Sequence, residues 1–242
     1  ITGPEKKWRC LMVFGNGIAA GLISLVWMAL IPGGQSTRKT EAPHVRFADY
    51  RLVFRDRAFM AFVITASLGY SSLTWLLGSA LFVYMRDALT LPPGVIMSIT
   101  AAGSLGIFLT IASWGRYADY AGSANAMFWS MIGHAVCALA CIALVPGAAA
   151  TSYALWGVFI VASVFNAAFN VAANRAMLGY VCSHRRVVYT NLWSIGTSLA
   201  IGLTPIAAGY LIDHFHRSGF YACFILTALS GIACGFMSRV YV

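Results

Sequence analysis

The amino-acid sequence predicts an all-α membrane protein, and three observations support this fold class. The chain has 242 residues, of which 60% are hydrophobic and only 10% are charged, whereas soluble domains are about half apolar and about a quarter charged. Its apolar residues are gathered in long runs of the length that crosses a bilayer. Its bases lie in the short segments between these runs, which is typical of membrane proteins and argues against a nucleic-acid partner.

Seven apolar stretches are long enough to cross a membrane as helices, since a span needs about 20 residues at 1.5 Å each. The predicted spans are about 10–32, 58–84, 93–113, 125–146, 153–178, 188–212 and 219–238. The connections between them are short, except for the polar stretch 33–57. Within that stretch, Phe47–Arg57 alternates apolar and charged residues, which predicts a short helix on the membrane surface.

The distribution of bases predicts the orientation of the spans. If 33–57 lies in the cytoplasm, most of the sixteen Lys and Arg residues fall on the cytoplasmic side, as the positive-inside rule requires. The exceptions are Lys6, Lys7, Arg9, Arg86 and Arg217. The turn between the spans 93–113 and 125–146 is then predicted to face the cytoplasm.

That turn, Trp114–Asn125, reads WGRYADYAGSAN and carries a recognisable pattern. Its spacing resembles the cytoplasmic signature loop of the major facilitator superfamily, Gly-x-Leu-Ala-Asp-Arg-x-Gly-Arg-Lys. The matching residues are Gly115, Ala118, Asp119 and Gly122. The family's basic positions are occupied instead by Tyr120, Ser123 and Ala124, which leaves Arg116 as the base of the loop. The resemblance implies a conformational switch formed by Gly115, Arg116, Asp119 and Gly122.

A second copy of the pattern predicts an inverted repeat. Gly209 and Asp213 lie at the end of the span 188–212 with the same offset as Gly115 and Asp119, three helices later and so on the opposite membrane face. Secondary transporters are commonly built from such repeats. Thr204-Pro205, followed by Gly209, also resembles the end of the family's eleventh helix.

The resemblance implies a domain organisation for the whole chain. Residues 1–32 would hold the sixth helix of a transporter, 33–57 the cytoplasmic linker, and 58–242 the six-helix C-terminal half, built of inverted three-helix repeats. Because the sequence begins at Ile1 without methionine, we expect it to be part of a longer protein with an N-terminal half.

The resemblance also implies that the first helix of each repeat, 58–84 and 153–178, lines a solute cavity. On the first, one face carries Ser67, Tyr70, Ser71, Thr74 and Trp75; on the second, one face carries Ser163, Asn166, Asn170 and Asn174. Amides within a bilayer need partners, so these faces should point into the protein or a cavity. The predicted substrate-binding residues are Tyr70, Ser71, Thr74, Trp75, Asn166 and Asn170. Hydrogen bonding between helices without a ligand is the alternative.

Two further polar residues stand out. His134 lies in mid-span and is a candidate proton relay, with a packed neutral histidine as the alternative. Arg175, at the end of its span, is predicted to extend to the membrane interface. The acids lie at helix ends or in connecting segments, so the sequence places no carboxylate in mid-membrane.

Together these features predict a multi-pass protein of the cell (inner) membrane, a secondary transporter that moves a small solute by alternating access, as a permease for uptake or efflux. Its expected partners are a small-molecule substrate, the lipid bilayer and the missing N-terminal half, with no cofactor and no metal. An enzyme is not predicted, because no paired acids or Ser/His pair occur at cavity depth. A non-transporting seven-helix receptor or scaffold is the alternative.

Overall fold

The structure, a computed structural model, describes Leu22 and residues 47–144, 149–181 and 185–242. The chain divides into two compact units, Ile1–His44 and Val45–Val242, and the helices discussed here belong to the second. The predicted span 10–32 and the linker up to residue 46 lie outside the described residues, apart from Leu22. In the second unit the described residues form seven helices, which confirms the all-α prediction.

The seven helices are numbered in chain order. They are α1 (Phe47–Phe54), α2 (Arg57–Ala88), α3 (Pro93–Ala121), α4 (Ser123–Ile142), α5 (Ala149–Tyr180), α6 (Arg186–Phe215) and α7 (Arg217–Tyr241). Helices α2 to α7 are long and apolar enough to cross a membrane, the span in α5 starting at Tyr153. Six of the predicted spans are therefore confirmed, and α1 is a helix in the segment where a surface helix is predicted.

The helix ends differ from the predicted ones at the signature segment. Trp114–Ala121 is not a turn but the last two turns of α3, and Gly122 alone separates α3 from α4. Gly122 has φ 86°, a left-handed conformation that suits glycine. The prediction failed because polar residues mark where a helix leaves the bilayer, not where it ends. In the same way, α6 continues past Asp213 to Phe215.

The packing of the six spans follows a two-fold pattern. Helix α3 packs on α5 as α6 packs on α2, and α4 packs on α5 as α7 packs on α2. Helices α4 and α7 pack on each other, and this pair forms the most extensive contact. Exchanging α2–α4 with α5–α7 leaves the pattern unchanged, as two inverted three-helix repeats require.

This pattern gives the unit two sides. The order α3, α5, α2, α6 forms one side, called here the front, while α4 and α7 form the back. Only 11% of the apolar core of α3 and 17% of that of α6 is buried, against 39% to 56% in the other four spans. The two outer helices of the front are therefore the least covered.

Candidate functional site

Tyr70 of α2 lies where three helices of the front meet. Its ring packs edge-to-face on Phe169 of α5, at 5.3 Å between ring centroids, and on Trp193 of α6, at 5.9 Å. The described residues offer no hydrogen bond to its hydroxyl group. The ring therefore packs against both neighbouring helices, while the hydroxyl group makes no hydrogen bond to the described residues.

Ser71 and Thr74 are already hydrogen-bonded within the protein. The Oγ of Ser71 lies 2.7 Å from Oγ1 of Thr204 on α6. Because the Thr204 hydroxyl also donates to the carbonyl of Ala200, at 2.6 Å, Ser71 is the donor of the pair. The Thr74 hydroxyl donates to the carbonyl of Tyr70, at 2.8 Å. At Ser71, the alternative of hydrogen bonding between helices is thus realised.

Just beyond Thr74 the winding of α2 changes. Thr74–Ala80 forms wider π-helical turns, and a second π-helical stretch covers Tyr84–Ala88. The hydroxyl of Ser79 lies 3.1 Å from the carbonyl oxygen of Thr74 and 3.2 Å from that of Trp75, and it donates to both. Single π turns occur often at functional sites. Thr74 and the half-buried Trp75 therefore lie at the start of a π-helical stretch of α2.

The asparagines of α5 form a ladder along their own helix. The Nδ2 of Asn170 donates to Oδ1 of Asn166, at 2.7 Å, and to its main-chain carbonyl, at 2.8 Å. The Nδ2 of Asn174 donates in turn to the carbonyl of Asn170, at 2.8 Å. The Nδ2 of Asn166 and the Oδ1 of Asn170 have no hydrogen-bond partner within the described chain. An amide nitrogen with two N–H donors and an amide oxygen therefore remain, one turn apart.

Ser163, which shares the asparagine face in sequence, has a different environment. It is buried, and its Oγ would lie 2.6 Å from a Cβ added at Gly103 of α3. Ser163 therefore belongs to the close packing of α3 on α5. The predicted face divides into a packed end at Ser163 and a half-buried part at Asn166 and Asn170.

The two polar faces are joined through Phe169. Its ring contacts Tyr70, and it would lie 2.2 Å from a Cβ added at Gly69, so α2 and α5 approach closely here. Asn166 and Asn170 lie three residues before and one residue after Phe169 on α5. The structure thus brings Tyr70 and the asparagine pair to one region of the front.

The signature segment has a partner that sequence reasoning missed. Asp119, near the end of α3, forms an ion pair with Arg175, near the end of α5; the Asp119 side chain is 74% exposed and that of Arg175 42%. Arg175 was predicted only to extend to the interface, and Arg116 to serve the loop. The sequence did contain a signal for this pair, because α3 and α5 end on the same membrane face and these two residues near their ends carry opposite charges.

His134 of α4 is fully buried rather than lining the front. Its ring lies near the main chain of Ser72 on α2 and Ala162 on α5. In the part of the chain that the structure describes, neither ring nitrogen has a hydrogen-bond partner. The relay role stays a prediction, and no hydrogen-bonded path from this ring is visible among the described residues.

A separate cavity lies away from these residues. It has a volume of about 510 Å³, and it is lined by Asp87, Ala88, Ile212, Asp213, His216, Arg217 and Phe220. It sits at the far end of α2, more than three turns from Thr74, and Asp87 pairs with Arg86. Nothing there converges on the polar front, so we assign it no part in the site. Among the described residues, no group of His, Cys, Asp and Glu could hold a metal ion.

Comparison with known proteins identifies the family. The model of the Major Facilitator Superfamily matches residues 63–241, which is most of the chain. No curated protein and no solved structure matches it. The match begins inside α2 and ends at the last residue of α7, so it covers the six packed spans. The chain is therefore an integral, multi-pass membrane protein that belongs to the Major Facilitator Superfamily of transporters.

Proposed function

We propose that this chain is the C-terminal half of a secondary transporter that moves a small solute by alternating access. The observation that carries the proposal is the arrangement of the front. Its centre, α5 and α2, presents Tyr70, Asn166 and Asn170 with unused hydrogen-bonding groups, while its borders, α3 and α6, are apolar and little covered.

The missing N-terminal half is the partner that this front suits. Large apolar side chains are exposed on α3, including Met97, Leu105, Phe108 and Leu109, and on α6, including Leu199, Leu203 and Ile206. A second half that covered both borders would enclose the polar centre as a cavity near mid-membrane. In such transporters, substrate sites lie near the midplane at the interface between repeats.

The chemistry of the centre favours a neutral or amphipathic solute. The Tyr70 hydroxyl, the Asn166 amide nitrogen and the Asn170 amide oxygen supply donors and acceptors, and the rings of Tyr70 and Trp75 supply apolar surface. The described part of the front carries no charged side chain at this depth. Amides and hydroxyls therefore would fix the orientation of the solute, and aromatic rings would add contact area.

The Asp119–Arg175 ion pair fits the switching part of the proposal. It ties the end of the border helix α3 to the central helix α5 on the predicted cytoplasmic side. Exposed ion pairs contribute only about 0–1 kcal/mol. Such an ion pair holds α3 next to α5 within the same half. Because it contributes little free energy, it can break and form again as the two halves rock.

The test is transport by the full-length protein in vesicles, with Asn166→Ala and Asn170→Ala as variants. Losing a hydrogen bond to the solute should raise KM by about fivefold, since such a bond contributes about 1 kcal/mol. Asn174→Ala is the matched control, because Asn174 is exposed at the end of the same ladder. If both inner variants keep the wild-type KM for every solute carried, the asparagine pair is not in the binding site.

A further inference from the structure

The short helix α1 has two faces of opposite charge, and its acidic side points inward. The Oδ1 of Asp49 lies 3.5 Å from Nε of Arg185, just before α6. Asp56, between α1 and α2, accepts from the main-chain N–H of Phe59 through Oδ1, at 3.1 Å, and from the Tyr189 hydroxyl through Oδ2, at 2.9 Å. Both carboxylates of this segment are therefore bound to residues at the beginnings of α2 and α6.

The same inward face is packed as well as bonded. Val53 is only 1% exposed and belongs to the hydrophobic core at the beginning of α2. The Nδ2 of Asn191 on α6 donates to the hydroxyl oxygen of Tyr50, at 3.1 Å. These contacts fix the rotation of α1 about its axis, so they determine which side chains remain outside.

The outward face is basic and apolar. Arg51 and Arg55 are exposed, as is Arg57 at the first residue of α2, and none of the three has an ion pair among the described residues. Leu52 and Phe54 are exposed as well, by 47% and 56%. Bases beside exposed apolar side chains on a short helix are typical of helices that lie in a membrane interface.

We propose that this outward face of α1 binds anionic phospholipids of the cytoplasmic leaflet. Helix α2 begins its span at Arg57, so α1 lies at the level of the lipid headgroups. Guanidinium groups bind phosphate oxygens in a bidentate manner, and the cytoplasmic leaflet carries the anionic lipids. Leu52 and Phe54 are two positions apart, about 200° around the helix, so they flank the arginines on opposite edges of the outward face. The inference needs only the membrane placement of the chain, and it does not depend on transport.

The inward contacts of α1 connect the lipid site to α6. Through Asp49, Tyr50 and Asp56, α1 is attached to the beginning of α6, one of the two border helices. Lipid bound to α1 is thereby connected to α6, which would move if the two halves rock, so this consequence, unlike the binding itself, rests on the proposed function. Anionic lipid is expected to favour the conformation in which these contacts are intact.

The experiment compares lipid retention by the full chain. The protein is reconstituted in a mixture of phosphatidylglycerol and phosphatidylcholine, extracted in detergent, and its bound lipids are quantified by native mass spectrometry. We expect the wild type to retain phosphatidylglycerol preferentially. In Arg51→Gln/Arg55→Gln the preference should fall on the order of twentyfold, at about fivefold for each base. The matched control, Arg86→Gln/Arg217→Gln, removes two exposed bases from the opposite membrane side and should leave the preference unchanged.

The outcomes that overturn the proposal are distinct. An equal preference in the wild type and the α1 variant removes α1 as the lipid site. An equal loss in both double variants shows that retention follows total charge, which also overturns the proposal. A measurement on the wild type alone covers the case in which the α1 variant does not fold. Its preference must fall steeply between low and high salt, because exposed charges are screened; a preference that is insensitive to salt contradicts an electrostatic site.

Discussion

Each repeat contributes one helix to the border of the front and one to the back. The border pair, α3 and α6, packs very differently from the back pair, α4 and α7. Helix α3 has the most apolar core of the six spans and is the least buried, whereas α4 is among the less apolar and is the most buried. In the second repeat the less apolar helix, α6, is the less buried one, so burial does not follow apolarity across the six spans. In a bilayer, lipid tails are as apolar as leucine, so apolarity alone does not drive helices together.

Small residues account for the packing of the back pair. A Cβ added at Gly231 of α7 would lie 3.3 Å from the carbonyl oxygen of Met131 on α4, and one added at Gly235 would lie 3.5 Å from that of Phe128. The two glycines are four residues apart, which is the spacing that lets membrane helices approach closely. The Ser238 hydroxyl extends the same line toward the Ala124 carbonyl, at 3.3 Å. Close main-chain approach therefore fixes the back, while the borders bury only a narrow seam.

The largest effect expected from this difference is at Gly231. Gly231→Leu should destabilise the chain by about 1–3 kcal/mol, because the added side chain overpacks the α4–α7 contact. Gly202→Leu on α6 is the matched control, since a Cβ there has open space and the helix propensity changes equally. Free energies of unfolding in detergent would measure both. Equal free energies of unfolding for the two variants would contradict the conclusion that the back pair is packed more closely than the border helices.

A smaller effect is expected where the border helix α6 is tied to α2. Ser71→Ala removes the hydrogen bond to Thr204, and such bonds between membrane helices contribute about 0.6 kcal/mol on average. Thr204 keeps its bond to Ala200, so no buried donor is left unpaired. A double-mutant cycle with Thr204→Val should give a coupling free energy of that size. A coupling near zero would mean that this hydrogen bond does not hold α6 against α2.

The smallest effect is expected at the tie between α3 and α5. Asp119→Asn should change the free energy of unfolding by only a few tenths of a kcal/mol, because both partners of the ion pair are exposed. In the full-length protein, the charge exchange Asp119→Arg/Arg175→Asp should restore whatever transport rate the single variants lose. Single variants with the full wild-type rate would leave the pair without a switching role.

The sequence predicted the helices well because apolar runs of span length are a strong signal. It predicted the end of α3 poorly, because Arg116 and Asp119 mark the membrane surface and still continue the helix. The common face of Asn166 and Asn170 followed from periodicity. The hydrogen bonds from Asn170 to Asn166 did not follow from it, since an amide side chain can bond to its own helix as readily as to another helix or a ligand. The Asp119–Arg175 pair joins residues 56 positions apart, and it depends on how α3 packs on α5.

The two π-helical stretches make α2 shorter than a regular α-helix with the same number of residues. A π turn holds about one residue more than an α turn, so rewinding Thr74–Ala80 as regular α-helix would lengthen α2 by about 1.5 Å. It would also rotate everything beyond that point by about 100° relative to Tyr70. The Ser79 hydroxyl already bonds the carbonyls of Thr74 and Trp75, two groups that such rewinding would rearrange. Such rewinding would also turn the fully buried Leu81 and Tyr84 out of the core and break the hydrogen bond from the Tyr84 hydroxyl to the Leu144 carbonyl, at 2.8 Å. The wider turns therefore set which side chains of the far half of α2 are packed inside the protein.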